Sequence, residues 1–212
     1  MSSLSRQFDW SGNKKSIFVT LGAKGHSENS REEHDFYATD PNSLEIFLDA
    51  LERDKIELSP LVWECACGQG HLSEVLKNRG YKVLSTDLIN RKYIRQDDVV
   101  DFLETTHIPN GCVNADILTN PPYKYAKEFV ERALDLVEDD RYVVMFLKVQ
   151  FLEGKNRREL FNQRPPRYVY INSSRQTCYL NGDMSHKMSS ATCYCWFVWQ
   201  KGFKGEPVIR WV

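Results

Sequence analysis

Apolar positions recur at helical spacing in some stretches and in short unbroken runs in others, and the two kinds alternate through the middle of the chain. After Asp40-Pro41, Leu44, Phe47, Leu48 and Leu51 predict a helix over 42–53. Leu72, Val75 and Leu76 predict a second over 71–79, stopped by Gly80. Phe129, Val130, Ala133, Leu134 and Val137 predict a third over 125–137, and 152–161 reads as a basic helix ended near Pro165-Pro166. Between these lie the strand-like runs 61–65, 82–86, 99–103, 113–118, 142–147, 168–171 and 192–199, with a polar loop over 172–190. Alternation of strand and helix from Leu61 to Leu147 predicts an α/β fold on a parallel sheet with helices on both faces. Residues 1–35 are polar and read as an extended arm, leaving 36–212 as the folded domain.

The chain has 212 residues, enough for one domain with a sizeable core. Its 28 basic and 29 acidic residues give a net charge of -1, which argues against a general polyanion binder but leaves room for a local patch. No apolar run approaches the roughly 20 residues of a membrane span, and the polar start lacks a signal peptide, so a cytoplasmic protein is expected. Cys65/Cys67 and Cys193/Cys195 are paired as Cys-x-Cys, tighter than structural zinc spacing; with Cys112 and Cys178 they are expected to be reduced and mostly buried. The five histidines, 26, 34, 71, 107 and 186, show no metal spacing. No metal is expected.

Three features point to chemistry. Glu64-Cys-Ala-Cys-Gly-Gln-Gly70 joins a strand to a helix, where glycines permit a sharp turn and close approach of a ligand to the backbone. It lacks the third glycine of the dinucleotide fingerprint. Asp87 ends the next strand and is suited to ribose hydroxyls, so an adenosyl compound is indicated, with NAD still open. Asp101-Phe102-Leu103 could bring a carboxylate and a ring to the same edge, as contacts for an adenine or simply as a strand end with Phe102 in the core. Finally Asn120-Pro-Pro-Tyr123 follows a buried strand: two acceptors beside a ring, as needed to hold a planar amine while its nitrogen attacks.

These motifs, in this order, resemble the class I S-adenosylmethionine-dependent amino-methyltransferases that carry Asn-Pro-Pro-aromatic, DNA adenine-N6 enzymes included; the tail around 151–155 and 196–205 looks like that of small phage- or prophage-type members. The resemblance implies a single Rossmann-like domain with a mostly parallel seven-stranded sheet and an antiparallel strand near the C-terminus. It implies S-adenosyl-L-methionine as cofactor, held by Tyr37, Thr39, Glu64, Cys65, Gly68, Gly70, Asp87, Leu88, Asp101, Phe102 and Asn120. It assigns the reaction to Asn120, Pro121, Pro122 and Tyr123. Two departures stand out: Cys65-Ala-Cys67 where Pro-Ala-Cys is commoner, and no separate target-recognition domain.

A basic segment, 141–175, follows the catalytic motif, with Arg141, Lys148, Lys155, Arg157, Arg158, Arg164, Arg167 and Arg175 opposed by Glu153 and Glu159. It suits phosphate contacts, Lys155, Arg157, Arg158 and Arg175 foremost, or else a solvated helix face. Nucleic acid, DNA first, is therefore the expected partner. RNA adenine-N6 or guanine-N2 methylation, protein glutamine methylation, and a catalytically silent binding module with the same fold are the alternatives.

Overall fold

In the computed structural model the described residues are 37–109, 111–174, 178–180 and 193–212; Arg175, the arm 1–35 and His26, His34 and His186 lie outside them. Strands β2 (Leu61–Glu64), β3 (Lys82–Asp87), β4 (Asp98–Val99), β5 (Asp116–Thr119), β6 (Tyr142–Lys148), β7 (Tyr168–Ile171), β9 (Tyr194–Gln200) and β10 (Val208–Trp211) form one sheet. Its order is β10-β7-β9-β6-β5-β2-β3-β4. β9 runs antiparallel between β6 and β7, and every other pairing is parallel. The expected α/β class and the antiparallel C-terminal strand are thus found.

The sheet has eight strands rather than seven. The addition is β10, an edge strand beside β7, which the apolar pattern missed because Val208, Ile209 and Trp211 are all exposed. A second pairing was also unforeseen: β1 (Tyr37–Thr39) and β8 (Cys178–Leu180) make a small antiparallel ribbon, one strand drawn from the expected polar loop. The predicted strand 99–103 is only Asp98–Val99, followed by a turn, and the predicted strand 113–118 begins at Asp116 because Val113 is exposed and Asn114 is left-handed (φ 66°). The basic helix starts at Arg158, since Gly154 at φ 104° and a 3-10 turn over Lys155–Arg157 precede it.

Four helices cover the sheet among the described residues: α1 (Pro41–Arg53), α2 (His71–Asn78), α3 (Ala126–Leu136) and α4 (Arg158–Gln163). Asp40 caps α1 by accepting the Asn42 N–H at 2.9 Å, with proline at the first helical position where its missing donor costs nothing. Along β6 the side chains alternate strictly. Val144 and Phe146 pack with α1 and α2 residues such as Phe47 and Leu76. Val143, Met145 and Leu147 pack with α3 residues such as Phe129 and Val130. β9 does the same with Trp196 and Val198 on one side and Phe197 and Trp199 on the other. Phe47 stacks on Trp196 with centroids 4.8 Å apart.

This double coverage makes the central strands apolar throughout, which is why they read as unbroken runs. From β2 the chain winds outward through β3 and β4, then returns to β5 on the other side of β2. The reversal puts the switch point of the sheet at the carboxyl ends of β2 and β5, where open α/β sheets bind ligands.

Candidate active site

The glycine turn and Asp87 form one unit. Gly68 and Gly70 have φ of 55° and 83°, conformations that L side chains rarely adopt. The Cys67 N–H donates to the Thr86 carbonyl at 2.9 Å, tying the turn to the end of β3. The Asp87 carboxylate accepts the Gly68 N–H at 2.8 Å and the Ile89 N–H at 3.0 Å, with Arg91 Nε 3.9 Å away. The acid expected for a ribose therefore also braces the turn, a role that its place in the sequence did not show. Tyr93, which sequence reasoning missed, lies where a side chain at Gly70 would project, so glycine is required there by a ring as well as by backbone. Its hydroxyl donates to Glu74 at 2.6 Å and accepts from Lys77 at 3.1 Å. No local signal marks it.

Glu64 sits beneath the turn with 1 % of its surface exposed. Thr119 Oγ1 donates to one carboxyl oxygen at 2.8 Å and Ser73 Oγ to the other at 3.1 Å; Ser85 in turn donates to Ser73 at 2.9 Å. Burial pushes the Glu64 carboxyl up to about 8; the Thr119 bond works against this, and the negative Asp87 adds to it. The group keeps its proton at neutral pH. Its bond to Thr119 crosses from β2 to β5 and brings Asn120, the next residue, to the side of the glycine turn.

Asn120 Nδ2 donates to Thr39 Oγ1 at 2.9 Å, so the Asn-Pro-Pro-Tyr motif is tied to the ribbon strand β1. Pro121 is buried, and Pro122 leads into a 3-10 turn over Tyr123–Tyr125, closed by the Tyr125 N–H on the Pro122 carbonyl at 2.9 Å. Tyr123 is half-buried, tilted against Tyr194 at 6.1 Å, with Lys148 Nζ 4.7 Å from its ring centre. A cation on the ring face attracts through the ring quadrupole.

The expected adenine contacts divide. Leu88 is 53 % exposed and Val99 is exposed too, so apolar side chains flank the carboxyl ends of β3 and β4. Phe102, 2 % exposed, packs against Trp63 at 5.3 Å and Phe129 at 4.9 Å. It belongs to the floor below the site, because the turn after β4 drives it inward, and its faces are taken. Asp101 is exposed and accepts the Leu103 N–H at 3.0 Å. Tyr37 opens β1.

Cys65 and Cys67 are free and buried, and burial pushes both thiols up, which disfavours the thiolate that a metal would need. Cys195 is pushed up to about 12 by the same cause. His71 opens α2 half-buried, and burial lowers its pKa.

The basic segment does not act as one patch. Lys155 and Arg158 are exposed where the chain leaves the carboxyl end of β6. Arg157 donates to the carbonyls of Phe151 at 2.7 Å, Gln150 at 3.2 Å and Glu153, and lies 5.0 Å from the Phe151 ring; it holds its own loop together. Arg141 and Arg167 immediately precede the starts of β6 and β7, at the opposite edge of the sheet. Arg164, near that edge, pairs with Asp135 at 2.7 Å, and Arg167 packs over the Tyr168 and Phe203 rings. Charge counted along the sequence is divided in space.

The residues suit an adenosyl sulfonium ligand: a positive-φ glycine turn, a carboxylate at the next strand end, an exposed leucine beside it, and a buried carboxyl under the turn. No protein-family model matches the chain, and no curated protein matches it by sequence. Solved structures do match in fold. A candidate RNA methyltransferase of Pyrococcus horikoshii aligns over 90 % of this chain and 100 % of its own, at 13 % identity and TM-score 0.57. A candidate class I S-adenosylmethionine-dependent methyltransferase of Listeria monocytogenes aligns over 94 % of this chain and 72 % of its own, at 11 % identity and TM-score 0.56. The type I restriction-modification methyltransferase subunit of Streptococcus thermophilus aligns over 81 % of this chain but only 46 % of its own, at 13 % identity and TM-score 0.57. At these identities the likeness establishes the Rossmann-like methyltransferase fold. Among the described residues, no helix is long and apolar enough to cross a membrane.

Proposed function

We propose that the chain is a cytoplasmic S-adenosylmethionine-dependent N-methyltransferase acting on the adenine N6 amine of DNA. The observation that carries the reading is the Glu64–Thr119 bond, which sets Asn120-Pro-Pro-Tyr123 against the glycine turn across neighbouring strands. Gly68, Gly70, Glu64, Asp87 and Leu88 would hold the donor, with Thr39 and Asn120 closing the end nearest the reaction. When bound, S-adenosylmethionine supplies an electrophilic sulfonium methyl.

An exocyclic amine is a poor nucleophile because its lone pair is delocalised into the ring. The side-chain oxygen of Asn120 and the main-chain carbonyl of Pro121 accept its two N–H bonds and favour a pyramidal nitrogen. Those bonds strengthen as positive charge develops on nitrogen, so they favour the transition state over the ground state. Tyr123 stacks on the target ring, and the paired prolines keep the acceptors placed. No strong base is required, since the nitrogen becomes acidic once methylated. An adenine in duplex DNA must leave its stack to reach the motif. Lys148, Lys155 and Arg158, at or just beyond the carboxyl end of β6, suit the flanking phosphates, which supports a nucleic acid over a protein substrate.

The test is to incubate the protein with radiolabelled methyl donor and DNA, RNA or protein extract, then digest and identify the product. N6-methyladenine in DNA is expected, and Asn120→Ala should lower the rate by about 100-fold or more with donor affinity little changed. An Asn120→Ala protein as active as wild type would sink the assignment. Label recovered only in RNA or protein would move the substrate.

A further inference from the structure

We propose that Thr39 is a positioning residue for Asn120: its hydroxyl holds the nitrogen end of the amide, so that the oxygen end meets the substrate amine. The inference rests on the function proposed above and goes beyond the expectation that Thr39 serves the cofactor. Asn120 Nδ2 donates to Thr39 Oγ1 at 2.9 Å, a contact between residues 81 positions apart. Thr39 is 3 % exposed and its backbone is pinned on both sides. On one side it pairs with Cys178 in the β1–β8 ribbon; on the other, Asp40 caps α1 and the Ser43 N–H closes onto the Asp40 carbonyl at 2.9 Å.

Orientation matters because an asparagine amide has an acceptor end and a donor end of nearly the same shape. With the oxygen forward, the group accepts an N–H of the target amine. With the nitrogen forward, donors face donors and the developing positive charge meets a positive dipole end. A partner that accepts from Nδ2 therefore decides whether the motif can work, without touching a reactant. Thr39 occupies that place, on a strand outside the main sheet, so this bond ties the ribbon to the site.

The test uses the full-length protein labelled with 15N at asparagine. The side-chain NH2 pair of Asn120 is the one missing from Asn120→Ala. Thr39→Val removes the acceptor while keeping the shape, and Thr39→Ser restores it. In Thr39→Val the Asn120 NH2 protons should exchange with water about tenfold faster, the loss of one hydrogen bond. Turnover should fall by about tenfold while donor affinity stays within about twofold, and Thr39→Ser should behave as wild type. Unchanged exchange in Thr39→Val overturns the proposal. So does a loss of donor affinity with turnover kept, which would return Thr39 to the cofactor. If Asn120→Ala is inactive but Thr39→Val fully active, only the positioning role falls; if Asn120→Ala is itself fully active, the function reading falls and takes this role with it.

Discussion

Two buried acids, one at each edge of the sheet, are held by different kinds of partner. At the amino edge Asp116, fully buried, accepts the backbone N–H groups of Ser59 at 2.5 Å and Tyr142 at 2.8 Å. Those donors precede β2 and open β6, so one side chain on β5 laces three adjacent strands at their entrance. At the carboxyl edge Glu64 receives the hydroxyls of Thr119 and Ser73. Backbone donors are fixed by the sheet, whereas hydroxyls rotate, and Ser73 is already shared with Ser85. At the amino edge the acid is satisfied by backbone groups of the neighbouring strands. The carboxyl edge carries a protonated acid under a glycine turn, with exposed Leu88 and Val99 alongside. The two edges differ in the partners of their acids, not in how deeply the acids are buried.

The largest effect should come from Asp116→Ala. It strands two backbone donors at the sheet entrance, at about 1–3 kcal/mol each, so unfolding in urea should show a loss of about 3 kcal/mol. Donor affinity of the protein that remains folded should be unchanged in calorimetric titration. A variant of wild-type stability that binds the donor more weakly would reverse the roles assigned to the two edges.

How far the contrast was legible in the sequence depends on the range of the contacts. β2, its glycine turn and α2 are contiguous, so an apolar run, two glycines and a helical repeat were enough. The Asn-Pro-Pro-Tyr motif was legible for the same reason. The hydrogen bond from Gly68 to Asp87 spans 19 positions, and that from Asn120 to Thr39 spans 81; side chains that meet across the fold leave no local period. Phe102 read equally as a ring for stacking or as core, because sequence does not say which way a turn points it. β10 went unseen because an edge strand with exposed Val208, Ile209 and Trp211 lacks the one-sided burial that creates alternation. The basic segment misled in another way: its charges were counted on a line, while β6 and the chain entering β7 carry them to opposite edges.

A pH-dependent effect, in the direction that burial also gives Asp116, belongs to Glu64. Its carboxyl is raised to about 8 in the folded protein, above the usual range near 4.3 that it regains on unfolding. Its contribution to stability is therefore fully present below about pH 4 and is lost as pH rises through about 8, because the unfolded chain ionises first. Glu64→Gln carries no such proton and should be more stable than wild type at pH 8.5, by an amount that shrinks to little at pH 4.5. Under the proposed function it should also bind the donor more weakly. Asp54 has the opposite sign. It is held down at about 2, chiefly by its bond from Arg53, with Tyr170 and Arg210 adding to the effect, so its contribution is present above about pH 4 and fades as pH falls toward 2. A Glu64→Gln protein less stable than wild type at pH 8.5 would contradict the buried, protonated assignment.

The smallest effect separates the two groups of cations. Lys155 and Arg158 are exposed beyond the carboxyl end of β6, so Lys155→Gln and Arg158→Gln should leave stability within about 0.5 kcal/mol of wild type. If the partner is a nucleic acid, each should lower the slope of log affinity against log salt by about 1, measured on a fluorescent DNA oligonucleotide. Arg164→Gln, near the opposite edge, loses the pair with Asp135 at 2.7 Å and a bond to the Glu131 carbonyl at 3.3 Å. It should cost about 1 kcal/mol of stability and leave the salt slope alone. Equal slopes for wild type and the two carboxyl-edge variants would mean that these cations do not meet phosphate. A slope that falls in Arg164→Gln would put phosphate at the amino edge.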